Sequence, residues 1–456
     1  MIIVSSSALI LAIFVFGLMG YFQATHFNTN VTINGVKVGH LKPEQVVTKL
    51  AAQSLKNDVF IGDEKIINGK NTVAKFTKKD LAAVNRVFKK QQTWLPSFKK
   101  KNYALNPAEN DDYRSGTLKK QVESRLKQLN KKLKAPKDAY AYIEDGDLKV
   151  SKSEAGRQYD VEKLMRAYDK QEYNSEIHLT AWRLHPIKED SKIVENETKI
   201  LKSLLNQSVN YSVQNKVYAL KASELIKNAK ATSNMKVTID PSVLKNKIEE
   251  INKNQSTLNK KSPFKTHTGK VISVQGQSYG WALNVSKETN RIQKAFENGK
   301  TSLKAYNVYG VGYSTYGIGY HNTTNNGIGN SYAEISISEQ KIWIYKNGKL
   351  VVTTDVVTGR HDTNEDTPKG LWYIMYKESP STLEGSEAGN PNYSVKVDYW
   401  APFTLSGCGF HDASWRRNWK KDAYLTQGSG GCVNTPPSIM KTVYDNLEQN
   451  EPVIIY

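Results

Sequence analysis

The chain has 456 residues, with 64 Lys and Arg against 44 Asp and Glu, for a formal net charge of +20. That length accommodates about two to four domains. The charge is spread along the chain, a field that favours anionic partners, although a solvated basic surface with no dedicated partner is an equally open reading. Nucleic acid drops out, because no zinc-finger, recognition-helix or RNA-binding signature is present. Two cysteines exclude a disulfide framework, and no cluster has the spacing of zinc ligands, so no metal or other cofactor is expected.

Residues 2–21, IIVSSSALILAIFVFGLMGY, are uncharged and long enough to cross a bilayer as one helix. A cleaved signal peptide would have Lys or Arg ahead of a shorter apolar core and a small-residue cleavage site behind it. No basic residue precedes this stretch, and FQATHF behind it offers no such site. The expectation is an uncleaved transmembrane anchor over residues 1–25, and hence a single-pass protein of the cell membrane. The absent basic flank leaves its orientation unassigned by the positive-inside rule.

VTINGVKVGHL (31–41) alternates and carries an Asn-Gly turn signal. KPEQVVTKLAAQ follows, with Pro near a helix start and apolar residues at helical spacing. From there the chain repeats itself. Val122, Leu126, Leu129 and Asn130 in one helix-like run answer Leu244, Ile248, Ile251 and Asn252 in another. VSKSEAGRQYDV (150–161) aligns with VQGQSYGWALNV (274–285), and RAYD (166–169) with KAFE (294–297). Each copy reads as helix, polar loop, strands, Gly turn and helix, which predicts two duplicated α+β domains at 26–190 and 191–305. Residues 306–330, YNVYGVGYSTYGIGYHNTTNNGIGN, shift to Tyr, Gly and Asn and read as an extended linker; His321 inside it reads as a surface histidine.

Residues 331–456 form the last domain. AEISISEQKIWIYKNGKLVVTTDVVTG alternates and breaks at Asn347-Gly348, a hairpin signal. Further strands are expected around LWYIMYK, SVKVDYW and EPVIIY, and one helix after Pro436 and Pro437. The whole is an α+β multidomain chain: an N-terminal transmembrane helix, two α+β domains and a mainly-β C-terminal domain, closed or sandwich-like.

The chemistry concentrates in GFHDASWRRNWKKDAYLTQGSGGCVNTPP (409–437). Cys432 follows two glycines, and His411 stands upstream. A thiol attacks only as thiolate, so a nucleophilic Cys needs a nearby base, most often His. Glycines let the backbone approach a substrate and aim N–H groups at an oxyanion. Cys408 reads as a buried small residue.

HxxS, a spacer and S(H)GCxN resemble the signature of the L,D-transpeptidases, which cross-link peptidoglycan through a cysteine acyl-enzyme. The resemblance extends through SYAEISISEQKIWIYKNGKLVVTTDVVTG, TPKGLWYI and VDYWAPF. It implies a mainly-β L,D-transpeptidase catalytic domain and a reaction in which a Cys432 thioester, formed from a tetrapeptide donor, is resolved by an amine acceptor into a 3→3 cross-link. Water as the resolving group would make an L,D-carboxypeptidase, and a non-catalytic wall-binding protein is the third reading. The partners implied are peptidoglycan stem peptides and anionic wall polymers, with the catalytic domain outside the membrane at the cell wall. The upstream copies resemble the peptidoglycan-binding domains often placed ahead of such enzymes; a spacer role is as open as wall binding.

Within that frame Cys432 is the nucleophile and His411 the general base. Asp412 is a candidate to orient the imidazole, but adjacent strand residues point to opposite faces, so a backbone carbonyl or Ser429 serves equally. Ser429, Gly430, Gly431 and Asn434 shape the loop, with the N–H groups of Gly431 and Cys432 as an oxyanion hole. Tyr399, Trp400 and Phe403 are candidate groove walls, and Trp415 and Arg416 belong to a candidate lid. The family has His immediately before Gly-Cys, where this chain has Gly430. His361 is a remote candidate replacement.

Overall fold

The computed structural model describes residues 2–171, 173 and 175–456. They divide into two units, Met1–Ala139 with Ser151–Ser191, and Tyr140–Val150 with Lys192–Tyr456.

The first unit begins with the helix Ile2–Thr25, and here the expectation of a membrane anchor fails. Among the described residues no helix is long and apolar enough to cross a membrane. The C-terminal end of the apolar run is tied into the protein. Gln23 is buried and donates to Asn28 and Thr93, at 2.9 Å each. A transmembrane helix, and with it a single-pass membrane location, is not supported.

Behind it, Asn34 and Gly35 at positive φ turn Val31–Ile33 back onto Val36–Lys37. Pro43 opens the helix Pro43–Ala51, where its missing N–H would have had no helical partner. This helix and Leu81–Gln91 cover a core containing Phe27, Leu50 and Val84. A second core lies under a sheet in the order Ile177–Leu179, Val59–Ile61, Glu64–Ile67, parallel then antiparallel. The helices Lys119–Asn130 and Val161–Asp169 contribute Val122, Leu126 and Leu164 to it.

The same plan recurs in the second unit. Ser208–Val213 lies between antiparallel Lys216–Lys221 and parallel Ser302–Lys304, with helices Ser242–Gln255 and Val285–Glu297. The repeated asparagine acts alike in both copies. Asn130 accepts from the Tyr159 N–H at 2.8 Å, and Asn252 accepts from the Leu283 N–H at 2.8 Å. Each tethered strand then enters a helix capped by a side-chain oxygen, Asp160 in one and Asn284 in the other, which satisfies an N–H that the helix leaves orphaned. The hairpin Ala141–Glu144 and Asp147–Val150 also lies in this unit, on the strand Ala229–Ala231.

The C-terminal part pairs two sheets. One is five-stranded, in the order Lys349–Asp355, Lys341–Lys346, Tyr332–Ser336, Pro452–Ile455, Gly370–Tyr373. Asn347 and Gly348, both at positive φ, make the tight turn of its first hairpin, the conformation a two-residue turn requires. The other sheet is three-stranded: Trp400–Pro402, Gly409–Asp412, Val433–Thr435. Ile335, Ile342 and Ile344 from the first meet Phe403, Phe410 and Val433 from the second, with Met440 and Val443 from the helix Pro437–Asp445. The Tyr/Gly-rich segment is packed along this part: Ile318 and Ile328 share a core with Phe264, Leu371 and Ile454.

Candidate active site

The three-stranded sheet fixes the geometry. Gly409–Asp412 runs antiparallel to Trp400–Pro402 and parallel to Val433–Thr435, with His411 opposite Trp400 on one side and Asn434 on the other. Cys432 precedes Asn434 by two positions, so the two side chains leave the sheet on one face. Cys432, His411 and Asn434 line one cavity of about 710 Å³.

His411 is 3 % exposed. Its Nδ1 lies 2.8 Å from the Asp412 carbonyl oxygen; a carbonyl can only accept, so Nδ1 carries the proton and Nε2 presents a lone pair. The ring stacks on Trp415 at 5.7 Å and tilts against Trp400 at 5.9 Å. Burial lowers its pKa, opposed by the Asp412 carbonyl. The Asp412 carboxylate points elsewhere, accepting from the N–H groups of Asp398 and Tyr399 at 2.9 Å each.

Asn434 joins this imidazole to Arg416. Arg416 is donor-only and Nε2 is an acceptor, so one amide orientation satisfies both neighbours. Nδ2 donates to Nε2 at 3.1 Å, and the amide oxygen accepts from Arg416 at 2.8 and 3.0 Å. Arg416 also donates to the Gln427 carbonyl at 2.6 Å.

Cys432 is 8 % exposed, and its S–H donates to the Gly407 carbonyl at 3.4 Å. Burial pushes its pKa up to about 12, helped by Cys408 and opposed by the Gly409 N–H. At rest the pair is therefore a neutral thiol and a neutral imidazole, each hydrogen-bonded to a third group. Both cysteines are free.

The loop before the thiol is tied from within. Ser429 donates to the Cys432 carbonyl at 2.6 Å and accepts from the Gly431 N–H at 3.2 Å, so that N–H is already engaged. Gly431 has φ +116°, and a Cβ there would fall 2.7 Å from the Cys408 sulfur; only glycine fits. Thr367 donates to the Gly431 carbonyl at 2.9 Å.

Of the aromatic candidates, Trp400 and Trp415 line the cavity. Tyr399 packs on Tyr444 at 5.1 Å, and Phe403 is fully buried against Phe410 at 5.6 Å. Arg416 and Gly430 line the cavity, whereas His361 pairs with Asp366 at 3.0 Å outside it.

Sequence reasoning passed over the cover of the site. The hairpin Ser381–Glu387 and Asn390–Val397 lies over the thiol, with Leu383 and Val397 packed on Cys432 and Tyr393 beside them. Its tip is held by a carboxylate. Glu365 accepts from the Ala388 N–H at 2.6 Å, and the Glu387 side chain lies close against Gly430. The available signal was the Gly389-Asn390 pair inside an alternating stretch.

Comparison with known proteins now adds to this geometry. Residues 330–455 match the family model of the L,D-transpeptidase catalytic domain, and residues 192–304 match one described as "Putative peptidoglycan binding domain". Among solved structures, a Cys-to-Ser mutant of the Enterococcus faecium L,D-transpeptidase is 26% identical, over 57% of this chain and 98% of its own, with a TM-score of 0.47. The catalytic domain of the E. faecium L,D-transpeptidase, solved by NMR, is 38% identical over 28% of this chain and 96% of its own, with a TM-score of 0.26. An L,D-transpeptidase from Mycobacterium smegmatis is 20% identical over 28% of this chain and 58% of its own, with a TM-score of 0.25. No curated protein matches in sequence. With residues 330–455 matched to the L,D-transpeptidase catalytic domain, this chain carries that domain and is a peptidoglycan L,D-transpeptidase.

Proposed function

We propose that the chain forms 3→3 cross-links between peptidoglycan stem peptides by ping-pong acyl transfer, with Cys432 as nucleophile and His411 as general base. The observation that carries this reading is the strand register that sets His411 opposite Asn434, two positions from Cys432, along one wall of one cavity.

For the proton to move, the thiol leaves the Gly407 carbonyl and Asn434 yields Nε2 to the sulfur. The thiolate then attacks the carbonyl joining the third stem residue of a tetrapeptide donor to its terminal D-Ala. D-Ala departs with the proton from the imidazolium, leaving a thioester. The amine of a neighbouring stem's third residue, direct or through a bridge, displaces the sulfur. The Asp412 carbonyl holds the tautomer throughout, a role its carboxylate is turned away from. The Cys432 N–H is the oxyanion donor in this scheme, since Ser429 engages that of Gly431. Trp400 and Trp415 wall the groove, and Arg416 offers a guanidinium to a stem carboxylate. Residues 192–304 hold the enzyme to the wall polymer, a surface its net charge of +20 suits.

The test is the full chain with a disaccharide-tetrapeptide, the products read by mass spectrometry. A dimer lost in Cys432→Ala is the expected result. Tripeptide alone would make the enzyme an L,D-carboxypeptidase, and product formation by Cys432→Ala would overturn the assigned nucleophile.

A further inference from the structure

Three carboxylates line the cavity without a part in the scheme above, Glu378, Glu384 and Glu387, and the last of them lies against the nucleophile loop. Glu387, at the tip of the covering hairpin, lines the same cavity as Cys432 and His411. It reaches the nucleophile loop because residue 430 has no side chain. A Cβ on Gly430 would stand 3.1 Å from the Glu387 Cβ and 3.6 Å from Oε2. Around it are Glu365 from the loop below, Arg416 from the segment before Cys432, Tyr393 from the facing strand, and the Cys432 thiol. Burial first, then Glu365, raise its proton affinity, while Arg416 and the Gly430 N–H oppose them.

The chemistry of the second half-reaction calls for such a group. Resting on the amine-resolved reading, the acceptor arrives as an ammonium, since a primary side-chain amine titrates near about 10.4. It must lose two protons: one before nitrogen has a lone pair to attack with, one as the amide forms. His411 offers a single acceptor nitrogen, because Nδ1 is committed to the Asp412 carbonyl.

We propose that Glu387 is the acceptor-side base, taking the first of these protons. The ammonium gives a proton to the Glu387 carboxylate, and the neutral amine attacks the thioester carbonyl. The C–N bond forms, the C–S bond breaks with its electron pair remaining on sulfur, and the second proton passes through His411 Nε2 to Sγ. Glu387 then releases its proton to solvent. Glycine at 430 is thus what admits the base.

The test compares acceptors in the full chain carrying Glu387→Gln or Glu387→Asp. Thioester formed from the tetrapeptide donor is resolved either by a stem-peptide amine or by hydroxylamine, which is uncharged at neutral pH and needs no first deprotonation. Glu387→Gln is expected to lower the ratio of dimer to hydrolysed tripeptide at least tenfold, with hydroxylamine restoring transfer and Glu387→Asp keeping part of the dimer yield. In the parent chain, dimer formation falls as pH drops through the raised Glu387 pKa, and that acid limb disappears in Glu387→Gln. Equal loss with both acceptors would mark Glu387 as a structural tether and overturn the proposal, as would undiminished dimer. A parent chain that yields hydroxamate but no dimer would instead overturn the amine-acceptor reading on which this one rests.

Discussion

The sheet that holds His411 and Cys432 and the hairpin that covers them are built in opposite ways. Every residue of Gly409–Asp412, Val433–Thr435 and Trp400–Pro402 is buried. In the hairpin only Leu383 and Val397 are buried, and both face the thiol. The sheet is over-determined by packing on both sides, so it holds His411 and Cys432 in place. The hairpin rests on two apolar contacts and a carboxylate tie at its tip, the kind of region that opens at low cost. The proposed catalytic pair therefore sits on the rigid element and is covered by the loose one. The difference also teaches why the resting thiol is protonated: the closed hairpin removes water from Cys432, and that burial is the first cause of its raised pKa.

Changes in the sheet should cost most. His411→Gln removes the proposed base and is expected to slow acylation by a carbapenem ~10²- to 10⁴-fold, followed by the loss of carbapenem absorbance. Phe410→Ala, at a fully buried position between the two sheets, should lower stability by about 3–5 kcal/mol, read as a shifted urea midpoint. Ser429→Ala leaves the Gly431 N–H without its partner and should cost about 1–3 kcal/mol in the same measurement. The hairpin should respond more mildly and in the other direction. Glu365→Ala frees the Ala388 N–H and should speed iodoacetamide labelling of Cys432 a few-fold, as a lid that opens more often exposes its thiol; unchanged labelling would mean the tip does not limit access. The smallest effect is on pH dependence. His411 has a lowered pKa in the folded state, so its contribution to stability is fully present above its ordinary value of 6.5 and is lost as pH falls through the lowered one. The melting temperature should fall with acid in that window, and His411→Gln should flatten that dependence.

The same contrast governs what could be read in advance. The strands of the catalytic domain alternate with one face inward, and Asn347-Gly348 names its own turn, so local chemistry sufficed there. Cys432 behind its glycines and His411 upstream stood out as candidates because few residue types can do that chemistry, and the structure sets both against one cavity. Asn34-Gly35 and the paired Asn130 and Asn252 were visible for a similar reason, each being a polar residue with a backbone task. Roles set by tertiary register were not. Tyr399 and Trp400 are neighbours in sequence, but only the pleat decides that Trp400 faces the cavity. Asp412 supplies a carbonyl to the imidazole while its carboxylate serves other N–H groups, which no motif encodes. Glu387 belongs to an exposed hairpin with many acidic neighbours in sequence and gains meaning only from what residue 430 lacks. The membrane anchor was overread because the partners of Gln23 lie as far along the chain as Thr93.

The central claim is that Cys432, and not the neighbouring free thiol of Cys408, carries the acyl group. Peptide mapping of the full chain after carbapenem treatment tests it most directly. The account predicts one added acyl mass, on the peptide containing Cys432, and none on the peptide containing Cys408. An adduct on Cys408, or an acylated protein with an unmodified Cys432, would contradict it.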